Sequence, residues 1–276
     1  MLFNFLNLYI KQKGKAMELT LSTFLIVCPF AFLAGFVDSI GGGGGLISLP
    51  AYVIAGLPAN TAVFTNKLSA CLGTIVATAR YCKNNFIDKS LALVGILTAA
   101  CGGLIGARCA LMVDEVIFKI LLLVLLPLIA MYVLLKKDLE PKDTQTLSRN
   151  KQYIIVSIAT FFLGTYVGFY GPGSGTFLIL AYAGLAKMNI LKAEGNAKLA
   201  NMTADMCSLF IFLANGVVII PLGLTAAAFS IAGNYIGAGV AMKNGSRVIR
   251  IVVLSVLAIL FIKVIWDSGK YFINWF

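Results

Sequence analysis

The sequence predicts an all-α integral membrane protein of about ten hydrophobic segments, eight long and two short, in two pseudo-symmetric five-segment repeats of inverted orientation. Three observations predict it: apolar runs that match a bilayer, glycine clusters each followed by a run too short to cross one, and self-similarity at an offset of 131 residues. Of the 276 residues, 60% are hydrophobic and 12% charged, whereas soluble domains are roughly 45–50% apolar.

The long runs are Leu21–Ile40, Ala62–Cys82, Leu91–Leu111 and Val116–Leu135, then Tyr153–Phe169, Asn196–Ile220, Leu222–Met242 and Val248–Trp266. Between them lie Leu46–Leu57 and Thr176–Leu185. At about 1.5 Å per residue neither short run spans roughly 30 Å of hydrocarbon, so each is a half-span or a shortened helix buried against neighbours. The chain divides into an N-terminal segment 1–20 with an alternative start at Met17, a first repeat 21–135, a cytoplasmic linker 136–151, a second repeat 152–266 and a tail 267–276.

The formal charge of +11 is an orientation signal, because Lys and Arg collect in loops that stay in the cytoplasm. Arg80, Lys83 and Lys89, the linker group from Lys136 to Lys151, Lys187 and Lys192, and Lys243 and Arg247 mark that side. The loops at Pro58–Thr61, Asp114–Glu115 and Asn215–Pro221 carry no Lys or Arg and read as external. These assignments agree when each short run counts as a crossing, which puts both termini outside and opposes the two halves; parallel four-span halves are the alternative. Lys11, Lys13 and Lys15 then fall outside, which makes the stretch before Met17 a candidate amphipathic segment. No basic stripe interleaves with exposed aromatics, so nucleic acid is not an expected partner.

Six cysteines lie in or beside apolar runs without a C-x-x-C pair and read as small hydrophobes. The absence of histidine removes His-ligated metal or haem, Ser-His-Asp chemistry and a His proton relay.

At the 131-residue offset Lys67-Leu68 falls on Lys198-Leu199, Asn84 on Asn215, and Gly102 and Gly106 on Gly233 and Gly237. One residue of slippage brings Gly41–Gly45 onto Gly171-Pro-Gly-Ser-Gly175. An odd number of spans per half makes an inverted repeat, typical of secondary transporters that bind substrate where broken helices meet near the midplane.

The glycine breaks supply that candidate site. Gly42, Gly43, Gly44 and Gly45 in the first half, and Gly171, Gly173, Ser174 and Gly175 in the second, free backbone N–H groups that inside a membrane need partners. Opened at the N-termini of the short helices, those donors would cradle an anion. The Gly102/Gly106 and Gly233/Gly237 pairs instead read as helix contacts. Lys67 and Lys198 are intramembrane charges at equivalent positions, each suited to complement an anion at the breaks. Asn201 and Asp205 follow Lys198 at i+3 and i+7, and Thr74 follows Lys67 at i+7. The competing reading is that both lysines snorkel or neutralise carboxylates. Asp38, before the first break, is open to three roles: proton carrier, partner of Lys67, or cap of backbone N–H groups. Asp205 is the second candidate for proton coupling or charge pairing. Arg108 reads as an anchor near a membrane face.

At these motifs the sequence resembles the TauE/SafE family of sulfite exporters and toluene-sulfonate uptake permeases. The resemblance runs from about Leu21 to Ile265 through AGFVDSIGGGGGLISLPA, PANTAVFTNKLSACLGT, IGAR at 105–108, GFYGPGSGTF, NAKLANMTAD, IGAG and SRVIR. It implies a multi-pass inner-membrane carrier of sulfite, sulfonates or related sulfur-containing anions, with no cofactor. Two departures stand out. Val167 or Gly168 occupies the place where members often carry an Asp, and Asp205 lies where a neutral amide is common, a candidate to compensate from another position. The expected function is therefore secondary transport of a small anion by alternating access with proton coupling as an option, and not an enzyme. The partners are that anionic substrate and membrane lipid, and the architecture leaves room for a homodimer. The rival readings are a polyprenyl-phosphate phosphatase-like intramembrane enzyme, which would need Arg and paired Glu near Ser174, and a non-transporting membrane subunit.

Overall fold

A computed structural model describes residues 8–12, 15–113 and 147–245, together with 247, 248, 251, 252 and 255. Over them the apolar runs are helices: α1 Leu21–Gly41, α2 Gly45–Ile54, α3 Ala59–Lys83, α4 Lys89–Met112, α5 Arg149–Phe169, α6 Ser174–Leu180, α7 Ile190–Ala214 and α8 Ile220–Asn244. Helices α1, α3, α4, α5, α7 and α8 are long and apolar enough to cross a membrane, and α2 and α6 are not. The expected segment Val116–Leu135 and most of Val248–Trp266 lie outside the described residues.

Two expectations need correction. The stretch around Met17 is an antiparallel hairpin of β1 Leu8–Gln12 and β2 Lys15–Leu19, so the described residues are all-α only from Leu21 onward; Tyr9 and Ile10 favour extended backbone. The run Asn196–Ile220 is also misplaced, because α7 starts at Ile190 and stops at Ala214. At its start the Asn189 side chain accepts from the Leu191 N–H at 3.0 Å, which caps a polar first turn that hydropathy had excluded. At its end Asn215 and Gly216, the latter with φ +64°, turn the backbone while the apolar composition continues.

The halves interlock. Helix α1 packs along α8 and α5 along α4. A Cβ on Gly102 would strike the Phe161 carbonyl oxygen and one on Gly106 that of Thr165; on Gly233 and Gly237 it would strike those of Phe32 and Phe36. These four glycines are contacts between backbones, as the sequence implied. Phe161 and Thr165 follow Phe32 and Phe36 by 129 positions, so the first helices of the halves are related by 129 and the later ones by 131. One extra residue enters at the breaks, whose glycines align at 130, and the other after them, where α6 runs into a π-helical turn, Ala181–Leu185.

Contacts step backward along α7 as they step forward along α3: Phe64 stacks on Phe212, with ring centroids 4.4 Å apart, and Lys67 reaches Asp205. The equivalent helices α3 and α7 thus run in opposite directions. At one end of the bundle the Ile219 N–H donates to Thr65 Oγ1 at 3.2 Å. At the other, Asp88 caps α4 and pairs with Arg149 at 2.6 Å, while Gln152 Nε2 donates to the Ala186 carbonyl at 3.0 Å. The Arg149 guanidinium, aided by the Leu91 and Ser90 amides, holds the Asp88 carboxyl below the usual carboxylate range. That contribution is present above the ordinary carboxylate pKa and lost as pH falls through the lowered value. Outward faces carry large apolar side chains such as Leu25, Leu97, Phe162 and Phe210, where lipid takes the place of protein.

Gly106→Ala and Gly233→Ala should each lower stability by about 1–3 kcal/mol through overpacking, measured as thermal unfolding in detergent. Gly95→Ala, whose added carbon would meet only the Tyr182 hydroxyl at 3.7 Å, should stay within about 0.5 kcal/mol of the parent.

Candidate functional site

Helix α1 stops at Gly41 because Gly42 and Gly43 adopt φ of +73° and +87°, a region that side-chain-bearing residues rarely enter. In the second half Gly171 and Gly173 do the same at +100° and +79°. The two breaks touch: Gly42 packs against Gly175 and Thr176, and the Thr176 hydroxyl donates to the Gly41 carbonyl at 2.7 Å.

Each lysine reaches across to the other half. Lys67 of α3 donates to the Val167 carbonyl at the end of α5 and to Asp205 Oδ1 of α7 at 2.6 Å. Lys198 of α7 donates to the Asp38 carbonyl at the end of α1 and to Asp38 Oδ2 at 3.0 Å. Val167 follows Asp38 by 129 positions, so the two lysines hold equivalent carbonyls. Asp38 is therefore the partner of Lys198 rather than of Lys67, and it also accepts from the Gly44 N–H at 3.1 Å, capping the first break. The carboxylate missing at Val167 is supplied to Lys67 by Asp205. Asp205 is held by Asn201, whose amide donates to Oδ2 at 2.9 Å and whose oxygen accepts from Ser174 at 2.7 Å. Both ammonium groups lie in the interior, at 5% and 1% side-chain exposure, and neither snorkels.

A cavity of about 50 Å³ opens at this junction, room for a few water-sized groups. Asp38, Gly44, Gly45, Lys67, Gly171, Gly173, Ser174, Asn201 and Asp205 line it, whereas Gly42, Gly43, Gly175 and Lys198 stand behind its wall. The anion cradle is thus only partly open, since the Gly44 N–H already serves Asp38 and Gly42 is sealed against the second break. Sequence reading missed Ser48, Asn66, Ser69, Ser230 and Asn234 on the same wall. Ser230 and Asn234 were legible as polar residues one turn apart in an apolar span, and the Asn234 amide donates to the Ser230 carbonyl at 3.0 Å. Also missed was Glu194, at 0% exposure one turn before Lys198. Arg108 is exposed, in keeping with an anchor. Among the described residues no cluster of His, Cys, Asp and Glu is suited to a metal, and the cysteines are free.

Residues 27–264 match the family model described as sulfite exporter TauE/SafE. The chain belongs to the TauE/SafE family. It is 33% identical over 246 residues to the probable membrane transporter protein YfcA of Escherichia coli K12, covering 89% of this chain and 91% of that relative. The probable membrane transporter protein ORF9 of a Sinorhizobium species is 34% identical over 247 residues, 90% and 93% of the two chains. A probable membrane transporter protein of Haemophilus influenzae is 31% identical over 253 residues, 92% and 98%. No solved structure matches the chain. This TauE/SafE member is accordingly a multi-pass membrane transporter, and both breaks and both lysines fall within the matched region.

Removing one partner of a buried ion pair leaves an uncompensated charge, which costs about 3–5 kcal/mol, whereas replacing both with apolar groups is often neutral. Lys67→Met and Asp205→Leu should each lose stability in that range by thermal unfolding. The double variant should recover most of it.

Proposed function

We propose that the protein moves a small anion, sulfite or an organosulfonate, across the cytoplasmic membrane by alternating access, with proton coupling. The observation that supports this most is the placement of two buried lysines, one from each half, beside the contact between two interrupted helices. An ammonium in the interior needs a negative partner, and here each partner is a carboxylate from the opposite half. An incoming anion can take that partner's place. Once Asp205 is protonated, Lys67 is released to the cavity, where Ser48, Ser69, Ser174 and Asn66 present further hydrogen-bonding groups. A sulfite or sulfonate head, with several acceptor oxygens, suits such a charge-assisted site. Protons and anions would then enter together.

The same pairs tie substrate to conformation. Lys67 joins α3 to α7 and the end of α5, and Lys198 joins α7 to the end of α1. Exchanging a carboxylate for a mobile anion loosens one seam between the halves, the movement that inverted-repeat carriers use. The opposed run of α3 and α7 supports this inverted arrangement over parallel halves.

Anion flux into proteoliposomes, with sulfite, sulfonates, sulfate and carboxylates compared, tests the substrate class. Sulfite or a sulfonate should be transported best, and the Lys67→Met/Asp205→Leu protein, although folded, should lose flux, as should Lys198→Ala. Normal flux in both would overturn the site. In a cysteine-free background, single cysteines at Thr61 and Gly216 should be labelled from one side of the membrane and those at Asn85 and Lys187 from the other. Labelling of Thr61 and Lys187 from the same side would instead establish parallel halves.

A further inference from the structure

The interior holds a third carboxylate that anion binding does not use. Glu194, in the first turns of α7, is 0% exposed, and among the described residues neither of its side-chain oxygens has a hydrogen-bond partner. Among the described residues its ion-pair partner is Lys198 Nζ at 3.6 Å, beyond hydrogen-bond reach. That ammonium is already committed to Asp38 of α1, through the carbonyl and through Oδ2 at 3.0 Å. From α3 the Tyr81 side chain faces the same space, but its hydroxyl donates to the Ser39 carbonyl at 3.0 Å.

Charge balance decides what this group must be. Among the described residues, the cluster sets Lys67 and Lys198 against Asp38, Asp205 and Glu194, two positive groups against three negative ones when all are ionised. An unbalanced charge in a water-poor interior is costly, so the neutral cluster holds one proton. Asp38 accepts from Gly44 N–H and Lys198, and Asp205 accepts from Lys67 and Asn201; both are arranged as carboxylates. Glu194 accepts no hydrogen bond, which singles it out as the acid. The corresponding position in the first half is Val63, so only the Lys198 side of the site carries this extra group.

We propose that Glu194 is the resident proton site that couples proton movement to the anion cycle. Asp38 lines the cavity and can take a proton from water there. Once Glu194 has given up its resident proton, closing the 3.6 Å gap to hydrogen-bond distance lets the Lys198 ammonium give one proton to the Glu194 carboxylate, and the resulting amine takes the proton from Asp38. The lysine ends as it began, and one proton has moved from the cavity to Glu194; the reverse sequence returns it. The link to flux rests on the anion-transport reading, whereas the protonation of Glu194 does not.

Two measurements test it. In difference infrared spectra of the protein in lipid, taken between neutral and alkaline pH, a protonated-carboxyl carbonyl band should appear at neutral pH, vanish in Glu194→Gln and persist in Asp38→Asn. Absence of the band from the parent protein, or its survival in Glu194→Gln, overturns the proposal. In proteoliposomes an imposed pH gradient should accelerate anion flux by the parent protein. Glu194→Gln should keep anion counterflow but lose that acceleration, and an unchanged response to the gradient would refute the coupling role. A parent protein that moves no anion at any pH counts against the transport reading and against the coupling role, and the infrared band still decides the protonation.

Discussion

Two ammonium groups in the interior of a membrane protein constrain everything around them. Each must find negative charge within a few ångströms or lose its place in the fold. Here the partners come from opposite halves of the chain: Lys67 draws in Asp205 and the end of α5, and Lys198 draws in the end of α1 through Asp38. The helix breaks follow from this. Where α1 and α5 end, the Asp38 carbonyl accepts from Lys198 in addition to the Gly42 N–H at 2.8 Å, and the Val167 carbonyl accepts from Lys67. Glycines at positive φ end the helices at the level where those carbonyls are required.

The symmetry of this arrangement lies in the backbone, and its asymmetry in the side chains. The carbonyls that the lysines hold are equivalent by position, but the carboxylates are not: Asp38 precedes one break, and Asp205 sits two turns beyond the other lysine. A duplicated unit would have started with matched halves. The present chain meets the same electrostatic demand from two directions, with a surplus carboxylate, Glu194, on one side alone. The two lysines are therefore unequal in their response to protons, a property a symmetric pair would lack.

Much of this was legible in the sequence, and the rest was hidden for physical reasons. Helix existence followed from apolar runs, and the breaks from glycines that make a poor helix. Equivalence of Lys67 with Lys198 and of Asn84 with Asn215 followed from the internal offset; the two asparagines cap α3 and α7, each bonding a carbonyl four residues back at 2.8 Å. Charge partners were not legible, because whether Asp38 meets Lys67 or Lys198 depends on how α1 crosses α7, a tertiary fact. Helical spacing placed Asp205 on the Lys198 face, yet the crossing of α3 delivers Lys67 to it. Glu194 was lost for a different reason: hydropathy trims polar residues from the ends of spans, and this one is buried. Ser230 and Asn234 were visible as exceptions within α8 but carried no indication of which way they faced.

The exchange of neighbours between halves also governs how the molecule comes into being. Among the described residues helix α1 meets its matching glycine face on α8, so during synthesis it enters the bilayer with that surface unmade. At about 5–20 residues per second, that delay lasts on the order of ten seconds or more. Until α8 emerges, α1 has only lipid or a helper protein along that side. A late-made span, rather than an early one, completes this contact, and a chain cut short between the halves would leave α1 without it.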